Sequence, residues 1–235
     1  MRLKRAVIDK KAKQDMSFII YHEPDGVLAA IFSSMPLPLK QHCIRVGAVS
    51  GIIAEHAPER AIPAGMSRET YANAVRYGGF YHDLGAYLRH NRWSDYPAAG
   101  REILEREISE KSVSEEIRGV ILETVGCACE RCDGKGYPNR LPGREIPFHA
   151  GICAVADLVD MIIGDRRMFL GQVVMSAKKY IKEQSGVIFL PEVADSFERA
   201  EERIFALYKT WKNSPPMWKY NDLKPASKPY HKPIG

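Results

Sequence analysis

The stretch CACERCDGKGYPNRLPGREIPFHAGICAVADLVD, residues 127–160, decides how the rest of the chain is read. Its first six residues hold three cysteines, Cys127, Cys129 and Cys132, and a glycine-rich turn follows at once. A structural zinc knuckle pairs one such group with a second at a distance. Here Cys43 and Cys153 each stand alone, so the second group is missing. Past the turn, HAGICAVADLVDMII is apolar nearly all round, which predicts a central helix. Asp157 shares a face of that helix with Ala150, Cys153, Ala154 and Met161. A carboxylate in such surroundings needs a proton, a hydrogen-bonded partner or a metal ion.

Toward the N-terminus helical periods dominate and strand alternation is nearly absent, so the chain reads as all-α. HCIRVGAVSGIIAEHA sets His42, Val46, Val49 and Ile53 on one apolar stripe, with the histidine on the buried face. Ser67 caps the next predicted helix, in which Tyr71, Val75, Gly78 and His82 repeat the spacing and which ends at Gly85. His82 and Asp83 thereby reach its last turn. A shorter helix starts near Pro97 and runs through REILERE, and Ser112 with Glu115 forms a capping box ahead of Ile117, Val120, Ile121 and Thr124. Near the C-terminus, PEVADSFERAEERIFALYKTWK sets Val193, Phe197, Ala200, Ile204, Leu207 and Trp211 on one stripe, which covers the core or meets a twin subunit.

The net charge of +5 is concentrated at the ends. Residues 1–14 carry a net +5 and residues 213–235 a net +3, which leaves the body at −3. A nucleic-acid groove is therefore not supported. The last 23 residues hold five of the fifteen prolines and no apolar period, the pattern of a tail, whose Trp218, Tyr220 and Tyr230 are placed to touch the body. No apolar run reaches the roughly 18 residues that a membrane helix needs, and the basic start leads into no apolar signal core, so a cytoplasmic protein is expected. Five cysteines, an odd number in a chain of 235 residues, fit reduced thiols better than a disulfide framework.

Four ionisable side chains thus fall at inward-facing helical positions: His42, His82, Asp83 and Asp157. Two imidazoles and two carboxylates form a ligand set suited to Mn, Fe, Zn, Ni or Co. The pattern of His42, then His82-Asp83, then Asp157 on a helical scaffold resembles the HD superfamily of metal-dependent phosphohydrolases. The stretch quoted at the outset sharpens the resemblance. Members of the HD-GYP subgroup read HHExxDGxGYP there, followed by a GLxGxxIP-like turn and a helix that carries an aspartate. Glu130, Asp133, Gly134, Gly136, Tyr137 and Pro138 fall in place, as do Leu141, Gly143, Ile146, Pro147 and Asp157. The likeness runs from about His42 to Arg167.

The resemblance implies an HD-domain helical bundle with an irregular GYP loop over residues 25–212, flanked by a basic arm at 1–24 and a Pro/Lys-rich tail at 213–235. It implies one divalent transition metal on His42, His82, Asp83 and Asp157, with His82 and Asp83 as the catalytic pair. Arg45, Arg131, Lys135 and Tyr137 are expected to meet the substrate phosphate, and Cys129 offers a thiolate as an extra ligand. The implied substrate is cyclic di-GMP or another phosphoester, and the GYP loop also offers a surface to a signalling partner. A homodimer fits the last helix.

The departures from the family are equally specific. Ala86 replaces a lysine in what is otherwise HDxGK, Tyr96-Pro97 replaces a His-Pro, and Ala128 and Cys129 replace paired histidines that help to hold additional metal. Gly151 stands where an arginine is common, and Pro38 where trinuclear members carry a glutamate. Three readings follow. The first is a hydrolase with a reduced, single-ion site and weak activity on cyclic di-GMP or on a nucleotide. The second is an inactive module that binds cyclic di-GMP or a partner. The third treats the four residues as hydrogen-bonded pairs of purely structural purpose.

Overall fold

The computed structural model describes residues 27–88, 93–108, 113–164 and 170–212. They form helices α1 (Val27–Ser34), α2 (Leu37–Ala54), α3 (Arg68–Tyr81), α4 (Leu84–Leu88), α5 (Tyr96–Glu107), α6 (Glu115–Gly126), α7 (Phe148–Gly164), α8 (Leu170–Glu183) and α9 (Pro191–Lys212). Among the described residues no strand forms, and two isolated bridges, Asp133 with Pro142 and Ser185 with Phe189, pin loops. The all-α expectation holds. No helix of the described residues is long and apolar enough to cross a membrane. The basic arm at 1–24 and the tail at 213–235 lie outside the described residues.

Local chemistry explains where the helices start. Pro38 sits in the first turn of α2, where its fixed φ helps and its missing N–H costs nothing. The residue that cannot act as a ligand therefore has a structural use. Ser67 caps α3, its Oγ accepting from the Thr70 amide at 3.1 Å. The cap of α6 is Ser114, whose Oγ accepts from Ile117 N at 3.4 Å. The expected cap, Ser112, lies outside the described residues, and the helix begins closer to its apolar run than the capping-box pattern suggests.

Helix α3 also ends earlier than expected, at Tyr81, with His82 as its αR cap. His82 and Asp83 occupy the turn between α3 and α4. Gly85 is a crossing point in α4 and does not stop α3. A Cβ there would lie 1.9 Å from the Tyr96 carbonyl oxygen and 2.6 Å from Gly100 N of α5.

The core is a bundle in which α2 and α3 cross most closely. A Cβ on Gly47 would lie 2.9 Å from the Arg76 carbonyl oxygen, and one on Gly79 would lie 2.7 Å from Ser50 Oγ. Backbones at this distance bring His42 of α2 close to the turn after α3 that carries His82. Helix α7 packs against α2, with Ile152, Val155, Ala156 and Val159 excluded from solvent. Helix α9 lies over α2, α7 and α8, burying Val193, Phe197, Ala200, Ile204, Leu207 and Trp211 as its spacing predicts. Ion pairs of Arg203 with Glu55 and Arg60 with Glu192, and a bond from Arg199 Nη2 to the His56 carbonyl at 3.1 Å, clasp α9 to the end of α2.

Candidate metal centre

Three elements deliver the four expected ligands. Helix α2 contributes His42, the turn after α3 contributes His82 and Asp83, and α7 contributes Asp157. His42 Nε2 lies 3.3 Å from His82 Nε2, 3.3 Å from Asp157 Oδ1 and 3.5 Å from Asp83 Oδ2. His82 Nε2 lies 3.5 Å from Asp83 Oδ2 and 3.7 Å from Asp157 Oδ1. Both His82 and Asp83 are fully buried, and Asp157 is 5% exposed.

The far side of each imidazole fixes its proton. His82 Nδ1 is 2.8 Å from the Gly79 carbonyl, which can only accept, so the proton sits on Nδ1 and Nε2 presents a lone pair. His42 Nδ1 is 2.7 Å from Asp160 Oδ2, and the same logic turns its Nε2 inward as an acceptor. Two imidazole lone pairs and two carboxylate oxygens therefore face one another inside the core. Acceptors cannot satisfy acceptors, so the arrangement calls for a cation at its centre.

The chemistry of the donor set fits a metal. Bonds of about 2.0–2.2 Å to one ion separate neighbouring ligand atoms by about 3 to 3.6 Å, close to the spacing seen. Among the described residues the ligand atoms of His42, His82 and Asp157 all lie within 4.8 Å of one another, and Asp83 stands 3.5 Å from both imidazole nitrogens. Proton affinity points the same way. Burial pulls the His42 pKa down, but Asp157, Asp160 and Asp83 outweigh it and hold the imidazole well above its ordinary value. With no metal bound, the centre gathers positive charge as a proton.

Asp160 carries no flag in the sequence reading, yet it organises the centre. Burial alone would raise its pKa. The Arg45 guanidinium and His42 hold the carboxyl well below the usual carboxylate range. Arg45 Nε donates to Oδ1 at 2.5 Å and Nη2 to Oδ2 at 2.9 Å, a fork across the whole carboxylate. Arg45 was expected to meet a substrate phosphate; its guanidinium is instead engaged with Asp160, and both groups are buried. The available signal was position: Asp160 follows Asp157 by three residues and so shares its side of α7. Asp160→Asn is expected to weaken metal binding by about 10- to 100-fold, measured by calorimetry with Mn²⁺, because the amide keeps one acceptor oxygen and turns the other into a donating NH2.

The GYP loop explains its own letters. Glu130, 3% exposed, accepts from Asn139 N at 2.7 Å and Leu141 N at 2.9 Å. Asp133 accepts from Lys135 N at 3.1 Å and from Arg131 Nε and Nη2 at 3.0 and 2.8 Å. Hydrogen bonding to Arg131 holds the Asp133 carboxyl down at about 2. Gly134 adopts φ +71°, and a Cβ on Gly136 would strike the Glu130–Arg131 backbone at 2.3–2.4 Å. Amides of Cys132 and Asp133 bond to the Ile188 and Val187 carbonyls, which anchors the loop ahead of α9.

The remaining expected contacts gather at this loop. Arg131 is paired with Asp133, the Lys135 residue is exposed, and the Tyr137 ring meets Tyr96 edge-on at 6.1 Å. Cys129 Sγ and Tyr96 Oη share a hydrogen bond at 2.8 Å, so the two departures from the family pattern contact each other. Cys127 is buried, which pushes its thiol up to about 11. Among the described residues the cysteines join no cluster of three or more ligands. A side chain at Gly151 would meet Leu190 and Val193 at 3.1 and 3.3 Å, so α9 covers the position where an arginine is common.

A bundle that converges an H…HD…D quartet on one point defines a class, and comparison with known proteins gives it a name. The HD domain family profile matches residues 39–162, more than half of the chain, and the chain belongs to that family. It is 29% identical over 188 residues to a cyclic di-GMP phosphodiesterase of Thermotoga maritima, covering 74% of this chain and 47% of that protein. It is 36% identical over 75 residues to the cyclic di-GMP phosphodiesterase response regulator RpfG of Xanthomonas campestris, covering 32% of this chain and 20% of that one. A cyclic di-GMP phosphodiesterase of Vibrio cholerae is 35% identical over 85 residues, covering 36% and 17%. The chain thus spans about half the length, or less, of the curated relatives it matches.

Proposed function

We propose that the chain is a phosphohydrolase that cleaves a phosphodiester of cyclic di-GMP, using one divalent transition-metal ion (Fe, Mn, Zn, Ni or Co) held by His42, His82, Asp83 and Asp157. The observation that carries this reading is the pair of imidazoles whose outer nitrogens are protonated toward Gly79 and Asp160, leaving four acceptors aimed at one point. The names of the three relatives support the substrate. An ion bound there supplies Lewis acidity toward a phosphoryl oxygen and makes water acidic near neutral pH.

The chain's own residues do the rest. Gly79 and Asp160 lock the two rings so that little reorganises during the reaction. His82 and Asp83, the proposed catalytic pair, sit in a solvent-excluded turn that keeps competing water out. Lys135 and Tyr137 remain candidates for substrate or partner contact at the loop, with Arg131 oriented by Asp133.

The bond between Tyr96 and Cys129 supports a single-ion site, because the residues at two positions that hold further metal in HD-GYP relatives are engaged with each other. In-line displacement is then without a second ion on the leaving oxygen, and slow turnover is expected. Purified protein should carry about one transition-metal ion per chain and open cyclic di-GMP to the linear dinucleotide. Protein that takes up no transition metal and, with the metal supplied, turns over neither cyclic di-GMP nor any nucleotide would defeat the proposal. Ala86, Ala128 and the same Tyr96–Cys129 bond favour a second reading, a module that binds cyclic di-GMP or a signalling partner without cleaving it. Calorimetric binding with no product distinguishes the two.

A further inference from the structure

Asp160 takes four hydrogen bonds, and the fourth comes from the far end of the chain. Tyr208 Oη donates to Asp160 Oδ1 at 2.8 Å, across 48 residues of sequence. Oδ1 therefore accepts from Arg45 Nε and Tyr208, while Oδ2 accepts from Arg45 Nη2 and His42 Nδ1. The carboxylate's lone pairs are filled, and its plane is set from two directions. Arg45 and His42 share α2, so they hold Asp160 from one side only. Tyr208 belongs to α9, is 4% exposed, and is seated by an edge-on ring contact with Trp211 at 5.3 Å. Leu207 beside it is fully buried, and the clasp of Arg203 and Arg199 onto the end of α2 fixes the helix about one and a half to two and a half turns earlier.

We propose that Tyr208 is a positioning residue that links the seating of α9 to the cation affinity of the centre, acting through Asp160 on the ring of His42. The inference rests on the metal reading above. The phenol is neutral and withdraws little charge from Asp160, while it fixes the carboxylate plane and with it the direction of His42 Nε2. Geometry therefore sets the sign, and losing the hydroxyl weakens binding. Coupling of this kind is reciprocal: an ion at the centre also holds α9 more firmly in place.

The test compares the full chain, stripped of metal by dialysis against chelator, with Tyr208→Phe and Asp160→Asn. Mn²⁺ is titrated calorimetrically into each, and amide hydrogen exchange of residues 204–212 is followed with and without Mn²⁺. Phenylalanine keeps the ring and its packing, and thermal melting of the metal-free forms verifies that the fold is retained. Tyr208→Phe is expected to bind Mn²⁺ about tenfold more weakly, the lower end of effects seen for outer partners of ligands. It should also lack the Mn²⁺-dependent slowing of exchange expected for α9 of the wild type.

Unchanged or tighter Mn²⁺ binding in Tyr208→Phe, beside weakened binding in Asp160→Asn, overturns the proposal and leaves the metal centre standing. A lowered melting point with unchanged affinity does the same, since it reduces Tyr208 to packing. Wild-type protein that takes up no Mn²⁺ at all overturns both the metal reading and the link to α9.

Discussion

Asp83→Asn is expected to remove the proposed metal-dependent turnover, with a loss of about 10²- to 10³-fold or more, and to lower bound metal from the proposed one ion per chain to a small fraction. Asp83 is fully buried, and its Oδ2 stands 3.5 Å from both inward-facing imidazole nitrogens. Asparagine keeps the volume and removes the charge, so the effect is electrostatic and leaves packing alone. The same variant separates an ion site from a set of structural pairs. In metal-free protein three carboxylates crowd around one protonated imidazole, His42, so negative charge is in excess there even with Arg45 on Asp160. Relieving one of them should leave the metal-free melting temperature no lower than that of the wild type, and only the metal-bound form should lose stability. Stability given up for a site of this kind is recovered when the site is dismantled. Were the four residues merely hydrogen-bonded pairs, Asp83→Asn would lower the melting temperature with or without metal, and that outcome sinks the ion reading.

Gly85→Ala is the second large effect, and it acts on the fold. The added methyl would lie 1.9 Å from the Tyr96 carbonyl oxygen and 2.6 Å from Gly100 N, and both obstacles are backbone. Helices α4 and α5 must separate to admit it, at a cost of about 3 kcal/mol or more. For a chain of this size that lowers the melting temperature by roughly 6–12 °C. Gly119→Ala is the matched control. It lies inside α6 with nothing within 4 Å of an added Cβ, so it should stabilise by about 0.5–1 kcal/mol through helix propensity alone. Thermal denaturation of the two variants beside the wild type checks both signs; equal melting temperatures would remove the argument for a forced approach at Gly85.

The four converging side chains were legible because a periodic apolar pattern can be read locally. A histidine on an apolar stripe, or an aspartate inside a nearly continuous apolar helix, announces a problem that only a partner can solve. The identity of the partner is not local. Arg45 lies 115 residues from Asp160 and Tyr208 lies 48 beyond it, and no spacing rule relates them. Arg45 therefore reads as a spare cation and Tyr208 as one more apolar letter. Helix α4 was absorbed into α3 because the turn at His82–Asp83 carries no glycine or proline to mark it. Helices α1 and α8 went unread for a related reason: α1 spans only eight residues, and neither helix bears a residue that chemistry singles out. Gly85 looked like a stop because its real obstacle, the α5 backbone, is invisible without coordinates.

The touching backbones of α2 and α3 carry a consequence for which ions can enter. Where Gly47 and Gly79 meet, the gap is set by main-chain atoms, which yield far less than side chains do. The two imidazoles hang from either side of that contact like the jaws of a caliper. Such a gauge is expected to accept a small, nitrogen-loving ion readily and to open for a large one, such as calcium, only by prising the bundle apart.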